Sequence, residues 1–294
     1  MITEIFYHTD NFCKEFEAKT GKNFLTDGDN KRKREHTFSL SEAMTIAIYY
    51  HYSGYKTFKD YYEKCVEKDL KTCFNGLVSY GRFVELKKKI AIPLAVFAKV
   101  LNSAECTGIS FIDSCPLPVC HNKRILNHKT FKEVAKRGKT SMGWFFGFKV
   151  HITINQHGEI ISFCITPGNV HDNNEDVMNK LVQSIFGKLF GDKGYIGKKT
   201  FENLWDKGIK MVTKIKKKMK NKLMLIEEKI LLKKRGVVES VFNILKRILL
   251  IDHTRHRSPV NFFSNLFSGL IAYAFRKNKP SLKMCSNDLL GENA

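Results

Sequence analysis

Two acidic residues stand at the ends of runs that predict β-strands. The run from Ile109 to Asp113 alternates in polarity and is rich in β-branched residues, so it predicts a strand that ends on an acid. The short apolar run from Leu189 to Asp192 predicts a buried strand with the same ending. Neighbouring strand ends can meet at one edge of a sheet, so both carboxylates can lie together there. Asp is also a common turn former, and each residue taken singly fits that role equally well.

A third acid, Glu239, lies in a stretch with helical periodicity. At about 100° per residue, Arg235, Glu239 and Lys246 fall within about 40° of one another on the helix surface. An apolar stripe adjoins them and predicts a face packed on a core: Val238, Val241, Phe242, Leu245 and Leu249. The carboxylate, flanked by two cations, would then face a site. A solvated helix has the same composition, so this stretch alone leaves both interpretations open.

Three carboxylates gathered in one place repel one another unless cations are bound. Mg²⁺ suits such hard oxygen ligands and takes phosphate oxygens as further ligands. A pair of ions about 3.5–4 Å apart activates a nucleophile on one side of a phosphate and steadies the leaving oxygen on the other. If they converge, Asp113, Asp192 and Glu239 therefore point to metal-dependent phosphoryl transfer.

The elements around these acids predict a helical domain followed by an α/β domain. Residues 1–105 contain several short helices joined by tight turns, and Ser39 and Glu42 have the spacing of a capping box. This region is either a DNA-binding module that resembles a helix-turn-helix or a plain helical bundle, and the basic charge favours the first. Strands and helices alternate over residues 106–280, and residues 281–294 form a polar tail.

Inside the α/β region the pattern predicts a β-hairpin and then a helix. The hairpin strands are Trp144–Ile154 and Ile160–Thr166, with a turn at Gln156–Gly158 between them. The helix is predicted from Asp172 to Ile185, with the carboxylate of Asp172 as its cap.

Composition points to a polyanionic partner. The 294 residues include 50 Lys and Arg against 29 Asp and Glu, a net charge of +21 that favours nucleic acid. The loop from His121 to Lys139 holds seven Lys and Arg, and Lys214 to Lys222 holds six lysines. Hydrophobic residues make up 43% of the chain, which excludes a disordered protein.

The chain is expected to be cytoplasmic, with no part in a membrane. The N-terminus lacks the layout of a signal peptide, and no run reaches 18 apolar residues; the nearest, Phe262 to Phe275, predicts a buried helix. The eight cysteines show no regular framework and are expected to be free thiols. Cys115 and Cys120 have two histidines nearby, but their spacing matches no standard zinc site.

Four segments in this order resemble the DDE transposases of bacterial insertion sequences. They are Phe111-Ile-Asp113-Ser, Thr166-Pro-Gly-Asn-Val-His-Asp172, Gly191-Asp-Lys-Gly-Tyr-Ile-Gly197 and Arg235-x3-Glu239-x6-Lys246. The segment Ser79-Tyr-Gly-Arg-Phe-Val-Glu-Leu86 also resembles the N-terminal region of one branch of that family. The matches span about residues 37 to 281, and their order and spacing are more specific than any single motif.

The resemblance implies an RNase H-like catalytic domain, a mixed sheet flanked by helices. It implies that Asp113, Asp192 and Glu239 bind Mg²⁺, two ions with Mn²⁺ as a substitute, and that Arg235 and Lys246 hold DNA phosphates. The signature Tyr-x2-Arg-x3-Glu-x6-Lys has leucine instead of tyrosine here, at position 232.

The implied activity is cleavage of DNA at insertion-sequence ends and strand transfer into target DNA. The partners would be double-stranded DNA, both terminal inverted repeats and target, and at least one further copy of the chain in a synaptic complex. Two alternatives stay open: an RNase H-like nuclease that only hydrolyses, and a decayed transposase that only binds DNA.

Overall fold

The computed structural model describes residues 1–21, 24–25, 38–74, 76–141, 143–214, 224–252 and 256–282. Contacts divide the chain into two compact units. The helical unit is Met1–Leu101 with Ile244–Arg276, and the sheet unit is Asn102–Asn243 with Lys277–Ala294. The lysine run predicted as a basic surface lies outside the described residues, apart from Lys214.

The helices of the described residues are α1 (Ile2–Thr20), α2 (Leu40–Tyr49), α3 (Phe58–Tyr61), α4 (Tyr80–Lys89), α5 (Ala91–Leu101), α6 (Glu175–Leu181), α7 (Lys198–Asp206), α8 (Ile226–Lys233), α9 (Gly236–Asn243) and α10 (Pro259–Phe275). The strands are β1 (Ile109–Cys120), β2 (Lys136–Thr140), β3 (Gly143–Asn155), β4 (Ile160–Pro167), β5 (Gly187–Gly191) and β6 (Ile209–Thr213). Single π-helical turns occur at Tyr62–Val66 and Ile244–Ile248.

Two apolar helices form the core of the helical unit. The capping box predicted at the start of α2 is present: the Glu42 amide donates to Ser39 Oγ (3.1 Å) and the Ser39 amide donates to the Glu42 carboxylate (2.7 Å). From Leu40 to Ile48, α2 is buried on every side. Most of α10 is buried too, packed against α5, α2 and α4, so the prediction of a buried helix at Phe262–Phe275 is confirmed.

The sheet unit is built on one six-stranded mixed sheet. Its order is β2-β3-β1-β5-β6, and β4 also pairs with β3. Strands β4, β3 and β1 are antiparallel neighbours, whereas β1, β5 and β6 run parallel. Both β2 and β4 pair with β3 because β3 is 13 residues long and each covers a different stretch of it. This α/β arrangement agrees with the predicted RNase H-like fold, which follows a helical N-terminal region.

The two faces of the sheet have different partners. One face carries Ile112, Leu189 and Met211 and packs against residues of α6 and α7 in a continuous apolar core. Successive side chains alternate between faces, so Phe111 and Phe190 point the opposite way. Both are fully buried, and their rings stack with centroids 5.4 Å apart. Burial of each ring contributes about 2 kcal/mol to folding.

Two predicted elements have different bounds in the structure. The helix predicted from Asp172 begins at Glu175, because Asn174 caps it by accepting a hydrogen bond from the Val177 amide (3.2 Å). Strand β1 does not end at Asp113 but runs on to Cys120. Beyond Phe111 its edge towards β5 is unpaired, and prolines are tolerated on such an edge because they have no N–H to donate.

Candidate active site

The parallel pairing of β1 with β5 brings the first two acids to the same level. Phe111 pairs with Phe190, and continuing that register by two residues sets Asp113 level with Asp192. Asp113 lies on the sheet face that carries the two phenylalanines, Asp192 directly follows the end of β5, and neighbouring strands are about 4.8 Å apart. Asp113 is partly buried, whereas Asp192 is exposed.

A buried glutamate that pairs with two lysines anchors the helix that precedes the third acid. Glu228 of α8 is 3% exposed and lies 3.7 Å from Lys188 of β5, and it accepts a hydrogen bond from Lys210 of β6. Burial raises the pKa of Glu228, but the two lysines outweigh this and lower it, so the carboxylate stays ionised. The pairs hold α8 against the sheet, and the turn at Lys234 and Arg235 connects it to α9.

The guanidinium of Arg235 bridges the first and third acids. Its Nη1 donates to Asp113 Oδ2 at 2.9 Å, and its Nη2 donates to Glu239 Oε1 at 3.3 Å. The planar fork of arginine suits such a double contact, which a lysine could not reproduce. Asp113 and Glu239, separated by 126 positions in the sequence, therefore share one cation. In this arrangement Arg235 contacts carboxylates, whereas the sequence predicted that it contacts phosphates.

The surroundings of Asp113 raise the pKa of its carboxyl. Burial, and to a smaller extent the charge of Asp192, raises the pKa of this carboxyl to about 6 against the opposing effects of Arg235 and the Ser114 amide. That amide donates to Asp113 Oδ1 at 2.9 Å. Burial and a second acid disfavour the charged form of this carboxyl, and an added cation would stabilise that form. Two of the predicted site residues, Asp113 and Asp192, are therefore electrostatically coupled.

Helix α9 carries the predicted apolar stripe, but the helix is not regular throughout. Val238 and Val241 are fully buried, as the periodicity predicted. The α-helix begins only at Gly236, and a π-helical turn replaces it from Ile244 to Ile248. The angular spacing of 100° per residue therefore does not extend to Lys246, which lies in that turn and belongs to the helical unit.

A buried polar cluster lies beside β1 that was not predicted from the sequence. Lys149, whose side chain is 9% exposed, donates to Asp172 Oδ1 (3.0 Å) and to the Val170 carbonyl (3.0 Å). The Ser114 hydroxyl donates to the same Asp172 oxygen at 2.7 Å. Asp172 is thus a partner of β1 and β3 and not a helix cap. Lys149 and His151 on an otherwise apolar strand were the available signal.

Neutral side chains complete this polar cluster. Burial and the nearby Lys149 lower the pKa of His151 to about 4, although Asp172 opposes them, so the ring is uncharged near neutral pH. Its Nε2 is hydrogen-bonded to the Thr166 hydroxyl at 2.9 Å. Burial, followed by the charges of Asp113 and Asp172, raises the pKa of Tyr195 well above its ordinary value. The cluster therefore holds one ion pair among uncharged groups.

Replacing Asp172 with alanine is expected to lower the free energy of unfolding of the sheet unit by about 2 kcal/mol, because the buried Lys149 ammonium loses its counter-ion. The partial exposure of Asp172 keeps the loss below that of a fully buried pair. Urea titration of the full chain followed by tryptophan fluorescence measures it, since the two tryptophans, Trp144 and Trp205, both lie in the sheet unit.

Two variants serve as controls for this measurement. E15A removes one partner of an exposed pair 3.8 Å long and should leave the transition unchanged. The double variant D172A/K149M should be less destabilised than the sum of the single variants, since no buried charge is left unpaired. A D172A transition that coincides with wild type would show that the ion pair does not stabilise the fold.

Comparison with known families identifies the chain. Residues 103–259 match the protein-family model described as Transposase DDE domain, which is more than half of the 294 residues. The chain belongs to the transposase DDE domain family. This confirms the resemblance inferred from the sequence motifs. A comparison with curated proteins gives no match. The matched range includes every predicted site residue from Asp113 to Lys246.

Family membership implies a DNA-binding phosphoryl-transfer enzyme with transposase activity. Within the described residues, no helix is long and apolar enough to cross a membrane. Nor do three His, Cys, Asp or Glu side chains, among those the structure describes, lie close enough to form one metal-binding group. The site instead presents Asp113 and Glu239 joined through Arg235, with Asp192 directly after the neighbouring strand β5.

Proposed function

We propose that this chain is an insertion-sequence transposase whose catalytic carboxylates are Asp113, Asp192 and Glu239. The observation that carries the proposal is the bridge from Arg235 to both Asp113 and Glu239, at the edge where Asp192 ends the adjoining strand. Asp113 and Glu239, which are 126 positions apart in the sequence, share one cation there, and Asp192 directly follows the strand beside β1. A structural ion pair would not also require an exposed acid at the level of Asp113 on the neighbouring strand.

The donor set fits divalent metal ions of the Mg²⁺ type. All three groups are carboxylates, which are the hard oxygen ligands that Mg²⁺ and Mn²⁺ prefer. The pKa of Asp113, raised by burial and by Asp192, indicates a site that is short of positive charge even with Arg235 in place. A bound pair of ions would supply activation of the attacking hydroxyl and stabilisation of the leaving oxygen.

The residues of this chain would then position the DNA for in-line attack. Asp113 lies on a β-strand held by β3, and Glu239 lies on a helix whose neighbouring valines are buried, so both carboxylates have rigid supports. Arg235 would turn one or both of its donors from carboxylate to phosphate when DNA arrives. Lys246 is proposed as a second phosphate contact.

Two chemical steps follow from this arrangement. Water would attack a phosphodiester at the element end and release a 3′-hydroxyl, and that hydroxyl would attack a target phosphodiester in the same site. The helical unit is proposed to bind the terminal inverted repeats. Pairing of two ends would require at least two copies of the chain.

A strand-transfer assay separates this function from its alternatives. The DNA is a pre-cut duplex that ends in the inverted repeat flanking the gene, supplied with supercoiled target and Mg²⁺. We expect covalent joining of the 3′ end to the target, which EDTA abolishes. Hydrolysis without joining would indicate an RNase H-like nuclease. Binding without cleavage or joining in Mg²⁺ or Mn²⁺ would indicate a decayed transposase.

A further inference from the structure

The described residues 121–141, 143 and 144 belong to a basic hairpin that the catalytic steps above do not use. It connects the far end of β1 to the start of β3 and includes β2, which pairs with β3 from Lys136 to Thr140. The sequence predicted this region as a loop, and the presence of a strand corrects that prediction. Seven Lys and Arg against the single acid Glu133 give it a formal charge of +6: Lys123, Arg124, Lys129, Lys132, Lys136, Arg137 and Lys139.

Every one of these seven cations is exposed, and none forms an ion pair with a carboxylate of the described residues. Elsewhere exposed lysines do have partners, as in the pairs Lys14–Asp10 (2.6 Å) and Lys199–Glu175 (2.8 Å). A cluster of like charges without partners destabilises a fold through self-repulsion unless a polyanion neutralises it.

The hairpin holds its cations on a fixed base. Phe131 is 1% exposed, its ring lies 6.2 Å from that of Phe148 on β3, and the ring of His128 stacks on it at 5.6 Å and 5°. The Asn122 side-chain amide donates to the Trp144 carbonyl at 2.6 Å, which ties the two ends together. Cations on such a support lose less conformational entropy on binding than those of a free tail.

Its distance from the proposed catalytic site is set by β1. Cys120 lies seven positions after Asp113 along that strand. At about 3.3 Å per residue the hairpin begins roughly 23 Å from Asp113. A duplex that runs along β1 covers this span in about seven base pairs of 3.4 Å each.

We infer that the basic hairpin binds the phosphate backbone of duplex DNA about seven base pairs from the phosphate being cleaved, a position that rests on the proposed function. Backbone contacts of this kind hold the register of the DNA without reading its sequence.

The chemistry of the hairpin favours duplex DNA over other partners. Proteins that bind single strands stack bases on free aromatic rings. The exposed aromatic ring in the described part of the hairpin is Trp144, and Lys139 already lies over it, 5.6 Å from the ring centroid. The exposed apolar side chains Leu126 and Val134 are separate from each other in sequence, whereas exposed cations recur from Lys123 to Lys139.

The test is DNA affinity of the full chain in EDTA, so that cleavage plays no part in it. The hairpin variant is K129Q/K132Q/K136Q/R137Q, and the matched control is K180Q/K198Q/K199Q/K207Q, four exposed lysines of the sheet unit on or directly after α6 and α7. Loss of four phosphate contacts should make the slope of log K against log salt concentration less negative by about 3.6. It should also weaken binding by about fivefold per lost contact at 0.15 M salt. The control should match wild type.

Duplex length provides the second measurement. One element-end duplex extends three base pairs from the cleaved phosphate towards the hairpin, and another extends ten. The shorter duplex should bind wild type more weakly than the longer one, whereas the hairpin variant should bind both with the same affinity. Equal affinity and slope for the hairpin and control variants would overturn the inference. Unchanged DNA binding with altered sedimentation of the hairpin variant would assign the surface to a protein contact and overturn it too. Failure of cleavage by wild type would count against the proposed function alone, since this binding is measured without metal.

Discussion

Replacing Asp113 with asparagine is expected to reduce Mg²⁺-dependent cleavage by roughly a thousandfold. A metal ligand supplies several kcal/mol of charge stabilisation in the transition state, and each 1.36 kcal/mol corresponds to a factor of ten in rate. Asparagine keeps the shape of the side chain and an oxygen that accepts from Arg235, so the fold should be retained. Single-turnover cleavage of an element-end duplex measures the rate, and binding in EDTA should be unchanged.

The controls for D113N separate the loss of a ligand from the loss of an acid in general. D192N and E239Q should show losses of similar size, because each removes one of the three proposed ligands. D176N alters an exposed acid on α6 and should cleave at the wild-type rate. Cleavage by D113N within about threefold of wild type would remove this carboxylate from the mechanism, whatever the behaviour of the other two.

Replacing Arg235 with glutamine is expected to change metal binding and cleavage in opposite directions. Its guanidinium occupies one oxygen of Asp113 and one of Glu239, so its removal should tighten Mn²⁺ binding by about tenfold. Cleavage should fall by about a hundredfold, the effect of losing one charged donor to a reacting phosphate. Titration with Mn²⁺ followed by electron paramagnetic resonance gives the affinity without DNA.

Two further variants test the interpretation of R235Q. Lysine at this position retains the charge but not the fork, so R235K should restore cleavage only in part. K199Q breaks an exposed lysine–carboxylate pair in the sheet unit, 2.8 Å long, and should affect neither measurement. If metal binding and cleavage weakened together in R235Q, Arg235 would be a structural support and not a residue that passes from carboxylate to phosphate.

The parts of the site that depend on local periodicity could be predicted from the sequence. Alternation of side chains assigned Asp113 to a strand, and the apolar run assigned Asp192 to the end of another. The period of 3.6 residues gave the buried face of α9, including Val238 and Val241. These features follow from short-range rules because each element buries one face, and that face is visible in the order of polar and apolar residues.

Features that depend on distant partners could not be predicted in the same way. The sequence around Asp172 resembles a helix cap, and its actual partner, Lys149, lies 23 residues earlier on a different strand. Arg235 is of a residue type that commonly contacts phosphates, and only the fold shows that Asp113 is within its reach. The π-helical turn at Ile244 breaks the angular relation of Lys246 to Glu239, and no local signal in the sequence announces that turn.

Anomalous diffraction from crystals soaked in Mn²⁺ tests the central claim most directly, because it locates the ions without requiring activity. Two peaks are predicted near the ends of β1 and β5, with an Asp113 oxygen about 2 Å from at least one of them, Asp192 and Glu239 as the further ligands, and Arg235 withdrawn from at least one carboxylate. The same soak of D113N should lose both peaks. Manganese bound elsewhere, with Asp113, Asp192 and Glu239 all without a metal contact, would contradict the account.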